Sequence, residues 1–148
     1  MKYLFSFLLY MAGMVVTAQT VIRSGELWPD DRGQHINAHG GGILCHDGRY
    51  YWFGEHKSDN TSAALVGITC YSSDNLSDWH YEGVALPVTD VPGDDLERGC
   101  TMERPKVVYN AETGKFVMWL HLELKGKGYS AARYAVAVAD RPAGPYQI

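Results

Sequence analysis

Two halves of the sequence carry the same succession of short β-type runs, and this internal repeat constrains the fold more than any other feature. Each half contains four runs rich in aromatic and β-branched residues, separated by turn residues. The runs are residues 43–45, 50–53, 66–72 and 79–84 in the first half, and 107–109, 116–119, 134–139 and the end around Tyr146 in the second. Corresponding positions lie 64 residues apart from Ile43 to Val107, and 68 apart from Ile68 to Val136. The sequence therefore predicts two four-stranded antiparallel units of about 65 residues each.

The turn between the first two runs supports this assignment. Asp47-Gly48 lies there, and an Asp-Gly pair between apolar runs is a strong signal for a two-residue hairpin loop. Repeated four-stranded units indicate the blades of a β-propeller, although many short strands also fit a β-sandwich. Propellers close with about 4 to 8 blades. We therefore expect an all-β chain that holds about the first two blades of a longer protein.

The first eighteen residues are predicted to be a secretory signal peptide. Met1-Lys2 gives a positively charged start, residues 3–16 carry no charge, and Val16-Thr17-Ala18 places small residues at a cleavage site. The uncharged stretch is about 14 residues long, shorter than the ~20 that a membrane span requires. We expect a secreted or periplasmic product with no membrane contact after cleavage. Residues 19–35 would form an N-terminal lead-in segment, and residues 36–148 a partial β-propeller domain.

The charge balance excludes one class of partner. Lys and Arg together number 13 and Asp and Glu 17, which gives a formal net charge of -4. A nucleic-acid-binding surface needs clustered basic charge. We therefore expect no nucleic-acid partner.

The three cysteines do not indicate a disulfide framework or a zinc site. Cys45, Cys70 and Cys100 are an odd number, too few for such a framework, and no Cys/His group has zinc-ligand spacing. Cys45 and Cys70 lie in strand-like runs, which favours small buried side chains. A disulfide bond between Cys45 and Cys70 is the alternative interpretation.

Polar residues stand where the first strand of each predicted unit begins. In a propeller the first strands surround the axis, so polar residues there would converge on one pocket. His39 precedes three glycines, which fits either a close approach of backbones or a flexible entry loop. Glu103 and Arg104 precede the run at 107–109, and a carboxylate beside a guanidinium suits a substrate-orienting role better than proton donation. The alternative for this pair is a solvated surface ion pair.

The second strand of each unit also ends in a polar residue. Glu55 follows Trp52-Phe53-Gly54, and His121 has the matching place in the second half. Equivalent polar residues beside aromatic strands predict a shared rim, and carboxylates on such a rim can bind sugar hydroxyls. For His121 a core position is the simpler interpretation, whereas Tyr129 lies on a glycine-flanked loop from which it could reach a ligand. Three tryptophans are expected to be packing residues: Trp28, Trp79 and Trp119.

Five segments in the predicted units also carry a resemblance to a known family. They are 38–43 (AHGGGI), 50–55 (YYWFGE), 71–79 (YSSDNLSDW), 103–107 (ERPKV) and 137–146 (AVADRPAGPY). In combination they resemble glycoside hydrolase family 43, and in particular its exo-β-1,3-galactanase-like branch. The resemblance covers residues 36–148 and implies a five-bladed β-propeller with a central active site.

The resemblance also implies a reaction. The family hydrolyses glycosidic bonds with inversion, using an acid and a base whose carboxyl groups typically lie ~6.5 to 9.5 Å apart. Most members carry the base Asp on the first inner strand and a second Asp on the next. Here the region around Ala38 and His39 has no Asp, and the second carboxylate is Glu103. The galactanase-like branch shares both departures and assigns the base role to a glutamine from a later blade. That glutamine and the acid Glu lie outside residues 1–148.

Residue by residue, the resemblance gives Glu103 the catalytic role of a carboxylate that modulates the pKa of the acid and orients the sugar. Glu55 and Tyr129 resemble contacts to substrate hydroxyls. His39 and Arg104 complete the predicted substrate-binding set. No metal ligand and no cofactor are predicted. Some family members hold an axial calcium ion near a central histidine, but His39 by itself does not establish such a site.

Together with the predicted signal peptide, the resemblance therefore implies an exported, inverting hydrolase that cleaves terminal galactosyl linkages of β-1,3-galactan or arabinogalactan side chains. Its partner would be an oligosaccharide or polysaccharide. Two alternatives remain: an α-L-arabinofuranosidase or β-xylosidase of the same family, and a propeller that binds glycans without cutting them. The 148-residue chain by itself is expected to be inactive.

The signal-peptide hypothesis predicts where the mature protein begins. After expression in a cell that exports it, intact-mass measurement should show a chain that starts at Gln19, because Ala18 ends the small-residue cleavage motif. Replacing Ala18 by a bulky residue such as Phe should block this cleavage. Recovery of exported protein that still carries residues 1–18 would contradict the assignment.

Overall fold

The chain folds into two antiparallel β-sheets. The computed structural model describes residues 21–59, 61 and 64–148, so the predicted signal peptide lies outside the described residues. The first sheet contains, in spatial order, β1 (His39–His46), β2 (Arg49–Lys57), β3 (Leu65–Ser73) and β4 (His80–Pro87). The second contains β5 (Thr101–Asn110), β6 (Lys115–Glu123) and β7 (Arg133–Ala139). The predicted all-β class is confirmed. A search of the described residues for a helix long and apolar enough to cross a membrane finds none.

The predicted hairpin and strand runs are largely confirmed. His46 pairs with Arg49, so Asp47-Gly48 is a two-residue loop. Both loop residues have positive φ, 49° and 77°, as a type I′ turn requires. The eighth predicted strand is reduced to one bridge, in which Val138 and Gln147 exchange backbone hydrogen bonds of 2.8 and 3.0 Å. The second sheet therefore has three full strands and a single bridge at its outer edge.

One hydrophobic core lies between the two sheets. On β6 every second residue is buried, as expected for a strand with one face against a core. Buried members of this core come from both sheets and include Phe53, Ile68, Cys70, Met102, Met118, Leu120 and Leu122. Full burial of one large apolar side chain stabilises a fold by roughly 1.5 to 3 kcal/mol. The shared core therefore makes the two sheets mutually dependent.

The other face of the first sheet is covered by the described residues that precede β1. Ile36 and Ala38 pack there with the buried side chains of Tyr71 and Trp79. The Asp30 carboxylate organises the segment, because it accepts hydrogen bonds from the backbone of Arg32 at 2.9 Å and of Gln34 at 3.0 Å. Trp79 is thus a packing residue, as predicted. Trp28 is only partly buried, but it packs against the same cluster.

The other face of the second sheet carries exposed apolar side chains. Trp119 is 51% exposed, although the sequence predicted a packing residue. The reason is the strand alternation: Trp119 points away from Met118 and Leu120, and no described residue covers that face sufficiently to bury it. Val108, Tyr134 and Val138 are exposed as well. The second sheet therefore has one packed face and one open apolar face.

All three cysteines are free thiols, so the Cys45-Cys70 bridge does not form in this structure. Cys70 is buried as predicted, but Cys45 is exposed, because the residues at this end of β1 alternate between facing the core and facing solvent. Burial raises the pKa of Cys70 and raises that of Cys100 to about 11. Both buried thiols therefore stay protonated at neutral pH.

The first strands of the two sheets, β1 and β5, pack closely against each other. A Cβ atom on Gly42 would lie 2.9 Å from the carbonyl oxygen of Pro105. Across the same contact, the Lys106 ammonium donates a hydrogen bond of 2.8 Å to the carbonyl oxygen of Gly41. The glycine run after His39 therefore serves a close backbone approach, and the alternative of a flexible entry loop is wrong.

This contact predicts a stability difference between two neighbouring substitutions. Gly42→Ala should lower the free energy of unfolding by about 1 to 3 kcal/mol, because the added methyl group would overlap the backbone of β5. Ile43→Ala is the control, since the exposed Ile43 side chain makes a surface change of roughly 0.5 kcal/mol. Urea unfolding followed by tryptophan fluorescence measures both. Equal losses of stability would contradict the close approach.

Candidate active site

The beginnings of β1 and β5 lie side by side at one end of the sheets. A Cβ atom on Gly40 would lie 3.4 Å from Glu55 Oε1 and 3.8 Å from the backbone nitrogen of Arg104. His39 and Glu103 hold equivalent positions, because each is the last paired residue before a register shift in its strand. The beginnings of the two strands are thus adjacent, and the convergence of their polar side chains on one pocket stays a prediction.

In the first sheet, a buried carboxylate joins two basic side chains. Glu55 is only 2% exposed, and its Oε1 lies 2.8 Å from Nδ1 of His39. Lys57 Nζ lies 2.9 Å from Oε2, at ion-pair distance but outside hydrogen-bond geometry. A buried carboxylate needs such partners, since its desolvation is costly. With the carboxylate as acceptor, Nδ1 of His39 carries a proton.

The His39 side chain itself is 83% exposed. Its Nε2 atom makes no hydrogen bond to any residue that the structure describes, so the exposed edge of the ring is available to a ligand. His39 also borders an open cavity of about 690 Å³, together with Lys57, Trp28 and Trp52. The Glu55 carboxylate is therefore buried and contacts the exposed His39 ring. The sugar contact predicted for Glu55 stays a prediction.

In the first sheet His39 on β1 lies opposite Glu55 on β2, whereas in the second sheet the acidic residue is on the first strand and the histidine on the second. Glu103 on β5 lies opposite His121 on β6. His121 does not bond to Glu103; its Nε2 atom lies 2.9 Å from Glu123 Oε1. The His121 ring also stacks on Tyr129, with ring centroids 5.6 Å apart and an interplanar angle of 29°. The interpretation of His121 as a core histidine is wrong, because His121 shares the open face of β6 with Trp119.

The Glu103 carboxylate is partly exposed and has no hydrogen bond or ion pair to the described part of the chain. Arg104 is exposed and does not pair with it, although the sequence placed a guanidinium beside this carboxylate. Successive side chains of a strand point to opposite faces, and Arg104 also has a φ of 55°, which is unusual for a non-glycine residue. Glu103 is left with its full capacity to accept hydrogen bonds.

Tyr129 lies on a short 3₁₀ turn, Tyr129–Ala131, between β6 and β7. Its side chain is 74% exposed, as expected for a residue that could reach a ligand. Gly126 and Gly128 precede it with φ values of 68° and 69°, a conformation that glycine adopts without strain. Its ring is stacked on the His121 ring.

Two residues of this site were missed by the sequence reasoning. They are Lys57, which pairs with Glu55, and Glu123, which pairs with His121. Each follows its partner by two positions on one strand, and residues two apart on a strand share a face. This spacing of two residues could have predicted both pairs from the sequence. Within the described residues there is no group of three or more His, Cys, Asp or Glu side chains placed to hold a metal ion.

Together these side chains offer hydrogen-bond groups of the kind that sugars need. Glu103 can accept from two hydroxyls, His39 offers one ring nitrogen, and Tyr129 offers a phenol and an aromatic face. These side chains can therefore bind and orient hydroxyl groups.

Comparisons with known proteins agree with this chemistry. No model of a protein family matches the chain. A curated xylosidase/arabinosidase from Thermoclostridium stercorarium is 34% identical over 105 residues, which are 69% of this chain and 20% of that protein.

Solved structures give stronger similarity. A family 43 β-1,3-galactosidase with bound galactodeoxynojirimycin has a TM-score of 0.79 and 62% identity, over 85% of this chain and 36% of its own. An exo-β-1,3-galactanase from Phanerochaete chrysosporium with β-1,3-galactotriose has a TM-score of 0.78 and 39% identity, over 85% and 28%. The exo-β-1,3-galactanase from Clostridium thermocellum has a TM-score of 0.75 and 44% identity, over 85% and 26%.

The chain thus spans between about a quarter and about a third of the length of these solved enzymes. Their similarity extends over most of the residues that form the two sheets. The chain belongs to glycoside hydrolase family 43, within its exo-β-1,3-galactanase-like branch.

Proposed function

We propose that the protein acts as an inverting glycoside hydrolase that cleaves terminal galactosyl linkages of β-1,3-galactan or arabinogalactan side chains. Similarity to exo-β-1,3-galactanases, one of them with β-1,3-galactotriose, supports this substrate class. The observation that carries the proposal is the unpartnered Glu103 carboxylate at the beginning of β5, next to the exposed His39 end of β1. A carboxylate without a protein partner at this position suits sugar hydroxyls.

The proposed architecture is a five-bladed β-propeller in which the two sheets are blades one and two. Strands follow chain order in both sheets, without the crossings between sheets that sandwich topologies use. The first strands β1 and β5 lie together, as strands around an axis would. The open apolar face around Trp119 suits the packing of a third sheet.

In this arrangement Glu103 has two tasks. It accepts hydrogen bonds from the sugar and so orients the ring. Its negative charge also favours the protonated form of a nearby carboxylic acid, which raises the pKa of that acid toward the working pH. The acid and the base are contributed by parts of the protein outside residues 1–148, so this chain supplies orientation and electrostatics.

A different specificity within the family has one observation in its favour. The curated relative is named as a xylosidase/arabinosidase, which corresponds to the α-L-arabinofuranosidase and β-xylosidase alternatives. The galactanase structures match more of the chain, and at higher identity. We therefore favour the galactosyl substrate. A glycan-binding protein without hydrolytic activity would be recognised by binding of the same oligosaccharides without any product.

Product stereochemistry tests the proposed reaction. The full-length protein should release galactose from β-1,3-galactotriose, and the first product should be the α-anomer because inversion changes the configuration at the anomeric carbon. Proton NMR during the first minutes measures the anomer before mutarotation. The p-nitrophenyl α-L-arabinofuranoside and β-xyloside are the control substrates and should react far more slowly. A β-anomer as first product would exclude inversion.

Substitution of Glu103 tests its role. Glu103→Gln in the full-length protein should lower kcat on β-1,3-galactotriose by about 100-fold or more, the order of a general acid-base contribution. Glu112→Gln is the matched control, since Glu112 is exposed in the turn of the same β5–β6 hairpin. Turnover of the Glu103 variant at the level of the control would remove Glu103 from the mechanism.

A further inference from the structure

We propose that His121, held by Glu123, is the positioning residue that fixes the Tyr129 side chain for substrate binding. This inference rests in part on the proposed function, because it takes Tyr129 to contact the substrate. It concerns His121, for which the sequence favoured a core position, and Glu123, which the sequence analysis did not single out.

Tyr129 has few other restraints. Its turn contains no buried residue, and its side chain is 74% exposed. The two glycines that precede it, Gly126 and Gly128, have no atom within 4 Å of the position a Cβ would take. A tyrosine on such a turn would sample several rotamers, and an exposed side chain ordered only on binding weakens affinity. Contact with a ring that is itself fixed would reduce the entropy that the Tyr129 side chain loses on binding.

The His121 ring is fixed in turn. Its Nε2 atom lies 2.9 Å from Glu123 Oε1, and the two side chains are 16% and 19% exposed. The carboxylate accepts this hydrogen bond, which places the proton on Nε2 and defines the ring plane. Tyr129 lies on this ring with an interplanar angle of 29°, close to a stacked arrangement.

The register of β6 also places His121 beside the proposed orienting carboxylate. His121 lies directly opposite Glu103, so their side chains are cross-strand neighbours on one face. One ring therefore borders Glu103 and supports Tyr129. The position of the His121 ring therefore sets the distance between the two proposed sugar contacts, Glu103 and Tyr129.

A double-mutant cycle in the full-length protein tests the inference through activity. His121→Ala should raise KM for β-1,3-galactotriose about 3- to 10-fold with little change in kcat, whereas His121→Phe, which keeps an aromatic ring, should restore part of the loss. In a Tyr129→Ala background, His121→Ala should have no further effect on KM. Independent, additive effects on KM in the two backgrounds would overturn the positioning role.

NMR of the ligand-free protein provides a readout that does not need activity. With tyrosine ring protons selectively labelled, stacking should shift the Tyr129 signals upfield. His121→Ala should abolish this shift, and Lys127→Ala, an exposed change in the same loop, should leave it in place. Tyr129 signals that are unchanged in His121→Ala would overturn the inference. A wild-type protein that shows the shift but neither binds nor cleaves galactan oligomers would instead overturn the proposed function.

Discussion

The close approach of β1 to β5 is the constraint on which the rest of the structure depends. It requires residues without a Cβ atom, because a methyl group on Gly42 would meet the backbone of Pro105 at 2.9 Å. The Lys106 ammonium then bonds to the carbonyl oxygen of Gly41 across the gap. With the first strands fixed in this way, the inner faces of both sheets close over one shared core. The same contact sets the beginnings of the two strands, and therefore His39 and Glu103, at one end of the molecule.

The repeat supplies equivalent positions, and the residues at those positions separate their roles. In the first sheet the acidic residue is on the second strand, where Glu55 is buried and engaged by His39 and Lys57. In the second sheet the acidic residue is on the first strand, and its cross-strand neighbour His121 bonds to Glu123 instead. Glu55 is thus buried between two basic side chains, whereas Glu103 is partly exposed without a described partner, so the two acidic residues differ in their capacity to accept hydrogen bonds from a ligand.

The sequence predicted the parts that depend on local chemistry. The Asp47-Gly48 turn, the strand runs and the polar strand beginnings follow from turn preferences and a period of two. Exposure of Trp119 and Cys45 was not predicted, because alternation gives two faces without saying which one another element covers. The positive φ of Arg104 was not predicted either, since no sequence pattern indicates it. The partner of His121 was open to prediction, since Glu123 lies two residues further along the same strand.

We propose that the beginnings of β1 and β5 face one sugar-binding site and that the Glu103 carboxylate points into it. A crystal structure of the full-length protein with β-1,3-galactobiose bound would show this arrangement. We expect a galactose ring at the beginning of β5 whose hydroxyl oxygens lie about 2.6 to 3.2 Å from the Glu103 carboxylate, the range of a hydrogen bond. A sugar bound elsewhere, with Glu103 on the outer wall and solvated, would contradict it.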